Sequence, residues 1–205
     1  MDELTDRSAR ISQGSFVVRV FLAGVFVCAA AVLCGRLMIG VWPPQTLSVE
    51  SLMGTAFLGS SLLLLLTSLL LHRALGAVRR EYQNLFRRRM LAAVVAATLF
   101  FSVQAYGLWC LQVLLDPQRA AVGAMSFAFV FTALHAMHVV VAMMFLIYVT
   151  ARSLNGRYDH EYYWGVTVCI WFWDVLGVVW IAILGVLVIS SLSGLVGTIK
   201  PFPAA

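Results

Sequence analysis

His135 and His138 stand three residues apart in LHAMHVVVA (Leu134–Ala142), a run otherwise suited to lipid. Asp174 is the one formal charge inside the last apolar run, and Gln104 and Tyr106 are polar groups inside the third. Imidazoles and a carboxylate in such places can ligate a metal, pass protons, or fasten helices together. An Asp near a helix centre costs about 2.5–3.5 kcal/mol on insertion scales. It therefore normally faces protein or a water-filled cavity.

Metal binding fails on ligand number. An i, i+3 pair shares a helix face. Zinc needs three or four ligands, and haem or copper needs axial or clustered imidazoles. The chain has four histidines, and His72 and His160 read as residues of flanking loops at the membrane edges, out of reach of the central pair. The four cysteines, Cys28, Cys34, Cys110 and Cys169, lie in apolar runs without a CxxC pair, so they read as packing residues. A proton relay fails on continuity, because nothing extends the few polar groups across the membrane. Fastening remains, with His135, His138, Asp174 and Gln104 as the expected contacts. Small residues such as Ala92, Ala93, Ala96 and Ala97 permit close helix approach. The expected partner of Asp174 is His135 or His138, since both helices run antiparallel and place these groups near mid-span; a hydroxyl or a buried water is the alternative. No catalytic residue is assigned: there is no phosphate loop, nucleophile triad or dinucleotide fingerprint.

The elements that must position these groups are membrane helices. Of 205 residues, 62% are hydrophobic and 11% charged, against about half and a quarter in soluble domains. Five segments reach the roughly 20 apolar residues a span requires: 16–41, 51–72, 90–115, 122–150 and 163–191. The expectation is an all-α integral membrane protein, with an N-terminal segment 1–15, a five-helix domain 16–192 and a tail 193–205. The polar, acidic start MDELTDRSARISQ lacks the basic region of a cleavable signal. WPPQTLSVE and DPQR read as turns, HRALGAVRREYQNLFRRR as a basic connection helical at both ends, and RSLNGRYDHEYY as a polar one. No repeat and no inverted pair of broken helices appears.

Every Lys and Arg except Arg36, Arg119 and Lys200 falls in the N-terminal region or in the connections after the second and fourth segments. The positive-inside rule then puts the N-terminus in the cytoplasm and the C-terminus outside. The net charge of +5 is accordingly a topology signal and implies no nucleic acid. The arginine-rich connection should also attract anionic headgroups. Tyr162, Tyr163 and Trp164 form an interfacial belt, while Trp171, Trp173 and Trp180 lie deeper. The deep tryptophans suit packing within a large complex, with a lipid-lined groove as the alternative.

These residues resemble subunit III of the haem-copper respiratory oxidases. TALHAMHV (Thr132–Val139) is similar to that family's Thr-Gly-Phe-His-Gly-Leu-His-Val, with both histidines, the Thr and the Val in place. GVTVCIWFWDVLGVVW (Gly165–Trp180) aligns without a gap on the family's last helix and shares Gly165, Trp171, Trp173, Val178, Val179 and Trp180. Weaker likenesses are WPP (Trp42, Pro43, Pro44), GTAFLGSS (Gly54–Ser61) and FFSVQ (Phe100–Gln104). There are departures. Arg19 and Phe21 stand in the region where the first of these helices usually has a Glu, and Gly107 and Thr167 replace later family acids. Asp174 and Gly177 replace the His and Asp of the last helix, so the carboxylate moves by three residues and keeps about the same face.

The resemblance implies a short, five-helix bacterial subunit III in the cell membrane. It implies a catalytic subunit I, and a subunit II, as partners, with haem and copper held there and none in this chain. Phospholipid is an implied companion. In that reading the partner reduces oxygen and pumps protons, and this chain supports it. Two other functions are kept open: an accessory subunit of nitric oxide reductase, and a freestanding channel or small transporter. The last should show a polar face through the bundle or a Gly- or Pro-broken helix, and neither is visible.

Overall fold

Within a bilayer every backbone N–H and C=O must be paired inside the protein, and an apolar helix does this within one segment. The leucine-, valine- and alanine-rich runs of this chain take that solution. The structure, a computed structural model, describes residues 2–41, 53–114, 124–156, 158 and 163–196. Side chains are described for 14–41, 55–110, 130–156, 158, 163–186 and 188–189. The helices are α1 (Asp2–Val41), α2 (Leu58–Arg79), α3 (Gln83–Leu114), α4 (Ala124–Leu154) and α5 (Trp164–Val196). A π-helical turn, Met53–Phe57, leads into α2. All five helices are long and apolar enough to cross a membrane, and no strand occurs among the described residues. The all-α, five-span fold class is the one the sequence predicts. The WPP and DPQR motifs, His160 and the tail beyond Val196 lie outside the described residues.

Between α2 and α3 the chain reverses sharply at Arg80–Tyr82. Tyr82 N–H donates to Ala77 C=O at 3.0 Å and Glu81 N–H to Val78 C=O at 3.1 Å. That is the Schellman pattern, with Glu81 in the left-handed region at φ 60°. The turn makes α2 and α3 an antiparallel hairpin, the most extensive helix pair of the bundle. α3 also packs on α1 and α4, and α5 closes against α4 and α2. Half of the most apolar window of α3 is buried, against 11% for α1, so α3 is the central helix and α1 the outermost.

α1 is held by close approach rather than by bulk. Ala31 is fully buried, and a Cβ at Gly35 would lie 2.7 Å from the backbone oxygen of Ser102. Small residues at such crossings let backbones pack directly, which lipid cannot imitate. The other half of the core is aromatic. Phe57 packs on Trp180 with ring centroids 5.7 Å apart, and Phe100 meets Trp173 edge-on at 6.2 Å. Buried hydroxyls are satisfied within their own helices: Thr67 donates to Leu63 C=O, Ser102 to Thr98 C=O and Thr150 to Leu146 C=O.

The cations mark the two ends of the bundle. At the end carrying the α2–α3 turn, Arg79 lies over the Tyr163 ring and Arg152 over Tyr148 and Tyr158. Gln83 Nε2 donates to Tyr158 C=O at 3.1 Å, tying the start of α3 to the α4–α5 connection. Tyr158 is buried there, and burial raises its phenol above the ordinary range, partly offset by Arg152. At the opposite end Arg36 stacks over Trp109, 4.1 Å from the ring centroid.

Candidate functional site

α2 and α5 run antiparallel, so rising numbers on one face falling numbers on the other. Trp180 Nε1 donates to Ser61 Oγ at 3.1 Å. Three residues back along α5, Gly177 faces Leu64. Three further back, Asp174 accepts from two groups of α2: Ser68 Oγ at 2.6 Å on Oδ1 and His72 Nε2 at 2.9 Å on Oδ2. Ser61, Leu64, Ser68 and His72 recur every three or four residues, which places them on one face of α2. Both Asp174 contacts are in the range of short, charge-assisted hydrogen bonds.

The partners of Asp174 are thus on α2 and not on α4, which corrects the expectation of a pair with His135 or His138; the Ser68 hydroxyl meets the alternative of a hydroxyl partner, with His72 beside it. The physical reason is depth. His135 stacks flat on Trp180, with ring centroids 5.8 Å apart and planes at 18°. Trp180 is six residues beyond Asp174, about 9 Å along the α5 axis. His138 turns back on its own helix, with Nδ1 2.7 Å from Leu134 C=O, and is exposed. His72 is correspondingly a helical residue and not part of a loop. α2 continues past it to Arg79, and His72 reaches the only carboxylate in the five spans.

Gln104 is buried at 6% exposure, and neither atom of its amide has a hydrogen-bond partner. It is a core residue of α3 and no fastener to another described helix. His135 Nδ1 and Trp173 Nε1 are likewise buried without a partner. Trp173 and Trp180 are buried in the core, whereas Trp171 is 64% exposed and points outward. Thr132 is half-buried on α4, one turn before His135.

Sequence reasoning missed Ser61, Ser68 and His72. Their signal was present: polar residues at helical spacing inside the leucine run LGSSLLLLLTSLLLH. Between Ser68 and Asp174 the two helices enclose a groove of about 230 Å³, floored by Leu64 and Trp173 and open beside Gly177 and Val178. The groove can hold a side chain and offer it carboxylate lone pairs. It offers no metal site, for among the described residues no three His, Cys, Asp or Glu side chains converge.

Comparison with known proteins adds the family. The model of the family described as cytochrome c oxidase subunit III matches residues 11–190. A cytochrome c oxidase subunit 3 from Marchantia polymorpha is 26% identical over 168 residues, covering 80% of this chain and 60% of that protein. One from Thermostichus vulcanus is 27% identical over 163 residues, covering 79% of this chain and 78% of its own length. One from Spodoptera frugiperda is 30% identical over 53 residues, 26% of this chain and 36% of that protein. The chain thus spans less than two thirds of the Marchantia and Spodoptera proteins.

Proposed function

The chain belongs to the cytochrome c oxidase subunit III family, and from that premise we propose that it is the non-catalytic subunit III of a bacterial haem-copper terminal oxidase. The observation that carries this reading is the family match over residues 11–190, which takes in all five spans nearly whole. The chain's own chemistry agrees with an accessory role. His72 and Asp174 pair α2 with α5, His135 stacks on Trp180, and the buried tryptophans build the core.

In this reading, haem and copper sit in a catalytic subunit I, with subunit II alongside, and supply the oxygen chemistry. This chain's part is mechanical and electrostatic. Its helices present an apolar, shape-fixed face to subunit I and retain phospholipid between the subunits. Its arginine-rich turn between α2 and α3 faces the cytoplasm by the positive-inside rule, with the N-terminus on the same side and the C-terminus outside, in the bacterial cell membrane.

Purification of the tagged chain from its native membrane in mild detergent tests the proposal. Haem absorbance and a large, histidine-rich membrane subunit are expected to co-purify in fixed ratio. A tagged chain that never retains haem refutes it.

A further inference from the structure

We infer that the groove between α1 and the α3–α4 pair holds one phospholipid, with its phosphate on the Arg36 guanidinium and one acyl chain along α1. This rests on the lipid-retaining role proposed above and adds where that lipid sits and which residue recognises it.

The level of Arg36 is fixed by the helices themselves. On α1 the residues from Val20 to Gly35 carry no charge, and Arg19 and Arg36 bracket them. Seventeen residues separate the two arginines, about 26 Å along the axis, close to the roughly 30 Å of a hydrocarbon core. α3 gives the same measure: Arg89 and Trp109 are twenty residues, about 30 Å, apart. Arg36 lies over the Trp109 ring, 4.1 Å from its centroid, so cation and indole share one level. A cation and an indole together at the end of an apolar span mark the headgroup region.

From that level the groove runs inward. Arg36 and Phe21 mark its two ends on α1, fifteen residues or about 22 Å apart. One leaflet of the hydrocarbon core is about 15 Å deep, so the groove accepts an extended chain over a whole leaflet. Opposite α1 stand Phe101 of α3 and Val140 and Met144 of α4. The groove encloses about 630 Å³, and Arg36 is the one charged residue lining it. A guanidinium carries a planar fork of N–H donors that matches phosphate oxygens. The acids among the described side chains do not compete for it. Glu81 sits in the α2–α3 turn at the opposite end, and Asp174 is held by α2. A covering helix would need its own acceptor at the level of Arg36, whereas every phospholipid brings a phosphate there.

The test reads phospholipid on the full chain, purified with a tag from its native membrane in mild detergent and weighed by native mass spectrometry. One phospholipid per chain is expected to survive on the parent. Arg36→Leu should lower its occupancy about tenfold, the loss expected with a hydrogen bond to a charged group. Arg36→Lys, which keeps the charge, should lower it less. Ala29→Trp, at an exposed position lining the groove, should lower it as well, whereas Arg73→Leu, at an exposed position on α2, should not. A photoreactive benzoylphenylalanine in place of Val32, irradiated in the native membrane, should give a lipid product. A parent without phospholipid, an adduct with the mass of free phosphate alone, occupancy unchanged by Arg36→Leu, or a Val32 product joined to a peptide of another chain overturns the groove site. Haem is read separately in the same preparation, so these outcomes leave the oxidase reading standing. Absence of haem beside Arg36-dependent lipid refutes the oxidase and upholds the groove site.

Discussion

Removing the Ser68 hydroxyl leaves Asp174 with one donor from this chain, and the cost of that loss can be worked from the geometry. The Ser68–Asp174 bond is 2.6 Å long, with a carboxyl oxygen as acceptor. Bonds to charged groups contribute about 1.5–3 kcal/mol in soluble proteins. Interhelical bonds in bilayers average about 0.6 kcal/mol and reach about 1.7, because helices separated in the membrane find other partners. With Asp174 36% exposed, water and detergent headgroups replace part of the lost bond. The expected coupling between Ser68→Ala and Asp174→Ala is therefore about 1 kcal/mol. Asp174→Ala alone is a poor measure, since it also removes the insertion penalty of a carboxylate, about 2.5–3.5 kcal/mol. The double-mutant cycle cancels that term. The assay is unfolding of the purified chain by SDS in mixed micelles, followed by helicity, for the parent, both single variants and the double. A coupling below about 0.3 kcal/mol, the scatter expected of independent sites, would refute the α2–α5 register described above.

Two further outcomes are expected in the same assay. Gly35→Val places a Cβ 2.7 Å from Ser102 C=O and 3.2 Å from Tyr106 N, both backbone atoms that cannot rotate away. It should destabilise by about 1–3 kcal/mol, whereas Gly40→Val, with no atom within 4 Å, should be near neutral; equal effects would contradict the α1–α3 contact. Gln104→Leu exchanges a buried amide without partners for an apolar group of similar size. It should leave stability unchanged or raise it by about 1 kcal/mol, and a loss greater than that would reveal a partner for the amide.

Most of the architecture is legible along the chain because a bilayer imposes one solution on apolar segments. Five runs of sufficient length, with arginines between them, suffice to identify five helices. Asp174 is equally legible as a residue needing company, since its cost depends on depth and charge alone. The buried state of Trp173 and Trp180, and the outward turn of Trp171, are not. Trp173 and Trp180, seven residues apart, share a helix face and Trp171 points about 160° away from it, but composition does not say which of the two faces is inside.

The identity of the Asp174 partner was decided by tertiary structure. Chain order makes α4 the neighbour of α5, and the two do pack. Depth and rotation then intervene. His135 falls opposite Trp180, about 9 Å from the level of Asp174. The adjacent residue Trp173 faces the core while Asp174 turns about 100° away, toward α2. A helix of uniform hydropathy such as α5 carries no amphipathic stripe to announce that rotation. The membrane fold and the need for a partner thus follow from residue types and segment lengths. Which partner is met follows from the axial register and rotation of helices more than one hundred residues apart, quantities that local pattern does not encode.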